Sequence, residues 1–147
     1  MIKSKNMLKK GNFTFAIIKP VAVERGDIGN IIQIIEEKGF RIAAMKKTRF
    51  SGVQAKEFYC EHEGKDFFEG LTGFMCSGPI VAMVLEKENA VLDYRKIIGA
   101  TNPAEADKGT IRNMYAESLR KNAVHGADSD ESAFREMNLL FSEADIY

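Results

Sequence analysis

The sequence has no tryptophan, three prolines, two cysteines and two histidines among its 147 residues. Each scarcity excludes something. Cys60 and Cys76 form no CxxC pair and follow no secretory signal, so neither a disulfide framework nor a zinc cluster is expected, and free thiols in a reducing compartment, the cytoplasm, are. No apolar run is long enough to span a bilayer. Met1 to Lys10 is too polar and basic for a signal peptide and reads as a loose leader, ahead of one domain over residues 11–147. Lys plus Arg and Asp plus Glu are 21 each, so the net charge is zero and no global basic field draws in nucleic acid or an anionic membrane. Any anion site must be local. Neither Gly-x-x-x-x-Gly-Lys-Ser/Thr nor Gly-x-Gly-x-x-Gly occurs, so a bound phosphate would have to be held by side chains. No internal period recurs, which argues against a repeat protein.

What is present is enough for one ordinary core, since 45% of the residues are hydrophobic. Phe13 to Ile18 is short, aromatic and β-branched, and Lys19-Pro20 ends it as a buried first strand. Gly26-Asp27 offers a cap, Ile28, Ile31, Ile32 and Ile35 trace one helix face, and Gly39 can end the helix. Residues 40–50 alternate as a second strand with a wetter face. Val53 to Glu61 and Asp66 to Met75 look like a helical hairpin broken at Glu63-Gly64-Lys65. Ile80 to Leu85 is a continuous apolar run, the best candidate for a central strand. Asn89 to Ile98 reads as a helix, 99–109 as a long loop, Thr110 to Leu119 as a further helix, and Ala123-Val124 as the start of a last short strand. Asp128 or Ser129 then opens a final helix through Ala133, Met137 and Leu140. The order predicts an α+β ferredoxin-like sandwich, a four-stranded antiparallel sheet with helices packed on one face.

Histidine chemistry must use His62 or His125. His62 lies in the charged stretch Cys60-Glu61-His62-Glu63, with no second histidine to complete a zinc-binding HExxH, and reads as a surface residue. His125 follows a strand, precedes Gly126, and sits just before a helix N-terminus whose free N–H groups favour an anion. Locally, a structural histidine and a reactive one fit equally well. Lys19, Arg95 and Arg112 are far apart in sequence but could converge on phosphate, Arg by bidentate contacts and Lys as a point charge, although each taken singly could be a solvated surface charge.

Taken in order, Lys19-Pro20, Phe67-Phe68, Ser77-Gly78-Pro79, Gly99-Ala100-Thr101-Asn102-Pro103-Ala104, Gly109-Thr110-Ile111-Arg112 and Asn122-Ala123-Val124-His125-Gly126-Ala127-Asp128-Ser129 resemble the nucleoside diphosphate kinase family from about Phe13 onward. The resemblance implies that His125 attacks the γ-phosphorus of a nucleoside triphosphate such as ATP, and that the phosphohistidine passes the group to a nucleoside diphosphate in ping-pong fashion. Carried over residue by residue, it implies that Lys19 and Arg112 neutralise the moving phosphoryl group and that Tyr59 orients near it. Arg95 and Thr101 would hold the diphosphate end, Asn122 would bond the sugar, and Phe67 would stack on the base, which reads no particular base edge. Glu136 would support the histidine ring. Without the resemblance, Phe67 and Tyr59 would be read as packing residues. Mg2+ is expected to arrive on nucleotide phosphates and water, with no dedicated protein cage. The resemblance also implies a homo-oligomer; ending at Tyr147, soon after the last helix, the chain is expected to lack the C-terminal extension that one kind of hexamer in the family uses between subunits, so tetramer and hexamer both stay open.

Two positions depart from the family's pattern. Ala127 stands where a serine hydroxyl would link Glu136 to the phosphorylation site, and Val21 replaces the usual aspartate after Lys-Pro. The alternative they motivate is a catalytically weakened, nucleotide-binding assembly protein. A different class, an RNA-recognition module on the same scaffold, is disfavoured because the basic and aromatic ribonucleoprotein motif is absent and the charge is balanced.

Overall fold

The computed structural model describes residues 8–147. Of the expected leader, 1–7 lie outside the described residues, whereas Leu8 is buried against the core. Four strands, β1 (Phe13–Ile18), β2 (Arg41–Thr48), β3 (Ile80–Glu86) and β4 (Val124–Gly126), form one sheet in the order β2-β3-β1-β4, and every neighbouring pair is antiparallel. The helices are α1 (Pro20–Glu24), α2 (Ile28–Glu37), α3 (Gly52–Phe58), α4 (Phe68–Met75), α5 (Ala90–Ile98), α6 (Ile111–Tyr115) and α7 (Asp130–Leu140). This is the expected ferredoxin-like α+β arrangement.

One detail is corrected. Helices cover both faces of the sheet. All six residues of β1 are buried, because Phe15 and Ile17 point into a core shared with α3, α4 and α7, while Ala16 and Ile18 point into a second core built with α2, α5 and α6. The unbroken apolar run of β3 is the signature of such two-sided burial, with Ala82 and Val84 on one face and Val81, Met83 and Leu85 on the other.

Local boundaries also shift for local reasons. Pro20, rather than only ending a strand, opens α1, where its missing N–H costs nothing. Asp27 precedes α2 without making a side-chain cap. Ser51 and Gln54 form a reciprocal capping box that starts α3, which ends at Phe58 and passes into a short 3-10 turn, Cys60–His62. The second helix of the hairpin begins at Phe68 rather than Asp66. The helix expected to reach Leu119 stops at Tyr115, because Ala116 is already extended. Asn113 donates its backbone N–H to the Thr110 hydroxyl at the other end.

The edge strand β4 positions the site. Ile17 pairs with His125, which puts the imidazole on the Phe15–Ile17 face, toward α3 and α7. Gly126 follows because the ring of Tyr94 lies against it: a Cβ built there would stand 2.9 Å from Tyr94 Cδ2 and 3.1 Å from Ile98 Cδ1.

Candidate active site

Just before β4 the chain makes a tight turn. Ala123 has φ 75°, and the N–H of Val124 reaches the Asn122 carbonyl at 2.9 Å, a γ-turn of the rare positive-φ kind. Such a conformation costs about 1–3 kcal/mol and persists only where the surroundings enforce it. Here the Ala123 carbonyl accepts from the Lys19 N–H at 2.8 Å, and Ala123 itself is fully buried. The turn thereby ties the end of β1 to the start of β4. It also brings the Lys19 ammonium to the Asn122 side chain, where Nζ donates to Oδ1 at 2.7 Å.

His125 sits in an aromatic box. The rings of Phe58, Tyr59 and Phe15 stand edge-on at 5.2, 6.2 and 6.4 Å between centroids. Its Nε2 lies 2.6 Å from Oε1 of Glu136, which α7 projects from one and a half turns inside the helix and which is 3% exposed. Nδ1 makes no hydrogen bond among the described residues.

Around it opens a cleft of about 730 Å3, lined by all nine residues singled out from the sequence: Lys19, Tyr59, Phe67, Arg95, Thr101, Arg112, Asn122, His125 and Glu136. Backbone carbonyls aim the cations. Arg112 donates from Nη1 to Gly99 O at 3.0 Å and from Nη2 to Val124 O at 3.1 Å, while its buried Nε has no partner. Arg95 donates to Gly126 O at 3.2 Å, and Asn122 Nδ2 donates to Thr101 O at 3.2 Å. Burial, with Arg112 nearby, lowers the Lys19 pKa to about 7, and burial likewise brings Arg112 down to about 10. Buried cations that share a cavity unpaired with carboxylates are poised for an anion, since a bound phosphate would reverse both penalties. Tyr59 caps the C-terminal end of α3 and is buried, with a hydroxyl that meets no partner. Burial first, then the Glu136 charge, pushes that hydroxyl's pKa up, so it stays protonated.

Phe67 is 44% exposed at the mouth, so core packing does not account for it. His62, expected on the plain surface, is corrected: it lines the same cleft, with its ring stacked near Tyr59 (6.5 Å) and tilted against Phe67 (5.2 Å). The charged sequence around His62 gave no signal of this; only the 3-10 turn brings it around to the cleft. The N-terminus of α7 is not the phosphate cradle that its place beside His125 suggested. The Ser129 hydroxyl already accepts from Ser132 N at 3.1 Å, and Asp130 and Glu131 occupy the first turn. Among the described residues no group of three or more His, Cys, Asp or Glu gathers to hold a metal, and no helix is long and apolar enough to cross a membrane.

The family model described as nucleoside diphosphate kinase matches residues 12–146. The chain belongs to the nucleoside diphosphate kinase family. It is similar to the nucleoside diphosphate kinase of Histophilus somni (strain 2336), with 54% identity over 134 residues, 91% of this chain and 95% of that protein. The Geobacter sp. (strain M21) nucleoside diphosphate kinase is 51% identical over 133 residues, 90% and 97% of the two chains. Among solved structures, the Aquifex aeolicus nucleoside diphosphate kinase superposes with a TM-score of 0.90 at 42% identity, covering 92% of this chain and 99% of that one. The Halobacterium salinarum nucleoside diphosphate kinase, solved in complex with CDP, gives 0.89 at 41% identity, covering 93% and 91%. As a member of the family the chain is a nucleotide-binding phosphotransferase, which moves the γ-phosphoryl group of a nucleoside triphosphate to a nucleoside diphosphate. The kinase reaction of the family uses a metal carried by the nucleotide.

Proposed function

We propose that His125 carries the phosphoryl group on Nδ1, within a domain that begins near residue 11. What supports this is one observation above the rest: Glu136 occupies Nε2 at 2.6 Å and leaves Nδ1 unbonded, on a cleft lined by Lys19, Arg95 and Arg112. With the Nε2–H donated to the carboxylate, the lone pair is on Nδ1. It attacks the γ-phosphorus, a P–N bond forms, and the bond to the β–γ bridging oxygen breaks with its electron pair leaving on the diphosphate. The second half-reaction runs in reverse, with a terminal oxygen of another nucleoside diphosphate attacking the phosphohistidine. Positioning and charge neutralisation are what such a transfer requires of the protein.

Lys19 and Arg112 neutralise the transferring group and the protonated Tyr59 hydroxyl donates near it. Arg95 and Thr101 hold the diphosphate end, Asn122 bonds the sugar, Phe67 stacks on the base, and His62 completes that aromatic wall. The cleft's donors are cations and neutral groups, which suits phosphates that bring their own cation. For Mg2+, Asp128, exposed on the rim, is the side chain that would bond its water shell. Bound there, the ion would withdraw negative charge from the phosphates.

A homo-oligomer, tetramer or hexamer, is proposed on the edge strand β2, where Met45 is half exposed beyond the stretch that Tyr147 covers at Ala43. A cytoplasmic location is proposed on the free thiols of Cys60 and Cys76. Incubation with γ-labelled ATP and magnesium tests the chemistry. Acid-labile label is expected on the protein and should pass to an added diphosphate of a different nucleoside. Label retained by His125→Ala, or none on the parent, sinks the mechanism.

A further inference from the structure

Glu136 and Arg135 are consecutive on α7, so their side chains leave the helix about 100° apart and sequence spacing gives no reason to pair them. The guanidinium nonetheless turns back. Arg135 Nη2 stands 4.0 Å from Oε2 of Glu136, the carboxylate oxygen that His125 does not use, and the same Nη2 donates to the Phe58 carbonyl at 3.0 Å. Phe58 is the last residue of α3, its ring lies 5.2 Å from the imidazole, and it adjoins Tyr59. Arg135 therefore touches both walls that enclose His125 without lining the cleft itself.

A carboxylate so deeply buried is costly unless a cation faces it. A neutral, nucleophilic imidazole cannot serve as that cation. Among the described residues no ammonium or guanidinium group other than Arg135 comes within 4.0 Å of Glu136, although Lys19, Arg95 and Arg112 line the same cleft. We propose that Arg135 is a positioning residue for the phosphotransfer, the counter-cation that keeps the Glu136 carboxylate aimed at Nε2 of His125 while anchored on the end of α3. This rests on the role given to His125 above. It also offers a physical reason why the site tolerates Ala127, since the second carboxylate oxygen has a partner that does not depend on a hydroxyl at that position.

The test is a double-mutant cycle on single-turnover phosphohistidine formation from ATP and magnesium. Because Arg135 is partly exposed, Arg135→Ala is expected to slow the step by roughly twofold to fivefold with the nucleotide KM unchanged. Arg135→Lys, which keeps the charge, should recover most of that loss. In a Glu136→Gln background, Arg135→Ala should cost nothing further. An equal slowing in both backgrounds would mean that Arg135 only caps α3, and would overturn the proposal. A second readout needs no turnover: long-range 1H–15N spectra should show His125 in the Nε2–H tautomer in the parent and a mixture of tautomers in Arg135→Ala. An unchanged tautomer overturns the proposal too. Should the parent form no phosphohistidine, the chemistry assigned to His125 fails, while the tautomer ratio still decides the role of Arg135.

Discussion

Nε2 of His125 and Oε1 of Glu136 are 2.6 Å apart, across a separation of eleven residues that leads from an edge strand into the middle of a helix. Glu136→Gln keeps the shape and removes the charge. A hydrogen bond to a charged group contributes about 1.5–3 kcal/mol, so phosphohistidine formation should slow by about tenfold to a hundredfold. Rapid-quench measurement of the first half-reaction checks this, and a rate within twofold of the parent would show that the carboxylate does not orient the ring.

Lys19 is expected to make nucleotide binding depend on pH. Its folded pKa of about 7 lies below the ordinary 10.5, so between those values the unfolded chain holds a proton that the free folded protein has released. The sign follows: in the unliganded protein this group opposes folding in full below about pH 7, and that penalty is progressively relieved as pH rises from about 7 toward 10.5. A phosphate bound beside Lys19 restores the proton. Calorimetry of ATP binding in buffers of different ionisation enthalpy should therefore register proton uptake at pH 8 that fades by pH 6 and is absent in Lys19→Met.

Ala127 is fully buried, its N–H donates to Phe15 O at 3.1 Å, and Glu136 reaches His125 without help from it. Ala127→Ser is therefore expected to raise turnover by no more than the worth of one ordinary hydrogen bond, at most about tenfold. Steady-state kinetics decide. A larger gain would mean that Glu136 is poorly held in the native site.

Gly126 has no room for a side chain. In Gly126→Ala the new methyl group meets the fully buried ring of Tyr94 at 2.9 Å, and neither the ring nor β4 can yield freely. Overpacking of this kind costs about 1–3 kcal/mol. A lower thermal midpoint should accompany slower phosphorylation, because the strand that must move also carries His125.

Phe67 should act on binding alone. Stacking contributes about 1–3 kcal/mol per base, so Phe67→Ala should raise KM by roughly fivefold to a hundredfold for purine and pyrimidine diphosphates alike, with kcat nearly unchanged. A loss confined to one base would show edge recognition instead.

Several of these features are legible in the chain itself. The order of strands and helices follows from runs such as Phe13 to Ile18 and Ile80 to Leu85, and the helix starts at Thr110 and Ser129 are written in hydroxyls whose acceptor role is local, whereas the Ser51–Gln54 capping box ahead of Val53 emerged only in the structure. Boundaries governed by a single residue's backbone, such as the stop at Tyr115, were not legible. Nor was the place of His62, whose sequence neighbours are charged and whose spatial neighbours are the rings of Tyr59 and Phe67.

Residue order and type set which groups are available: two histidines, 21 lysines and arginines, the Phe67-Phe68 pair, and the periodic apolar residues that build a four-stranded sheet with helices. Tertiary structure decided what those groups are. It buried both faces of β1, brought Lys19 to Asn122 across 103 residues, and spent Nε2 of His125 on Glu136 so that Nδ1 remained. It also removed Lys19 from water far enough to lower its pKa to about 7. Residue type sets what a side chain can do. Its pKa, its free lone pair and its partners depend on solvent exclusion and on contacts between distant segments, which exist only once the chain has closed on itself.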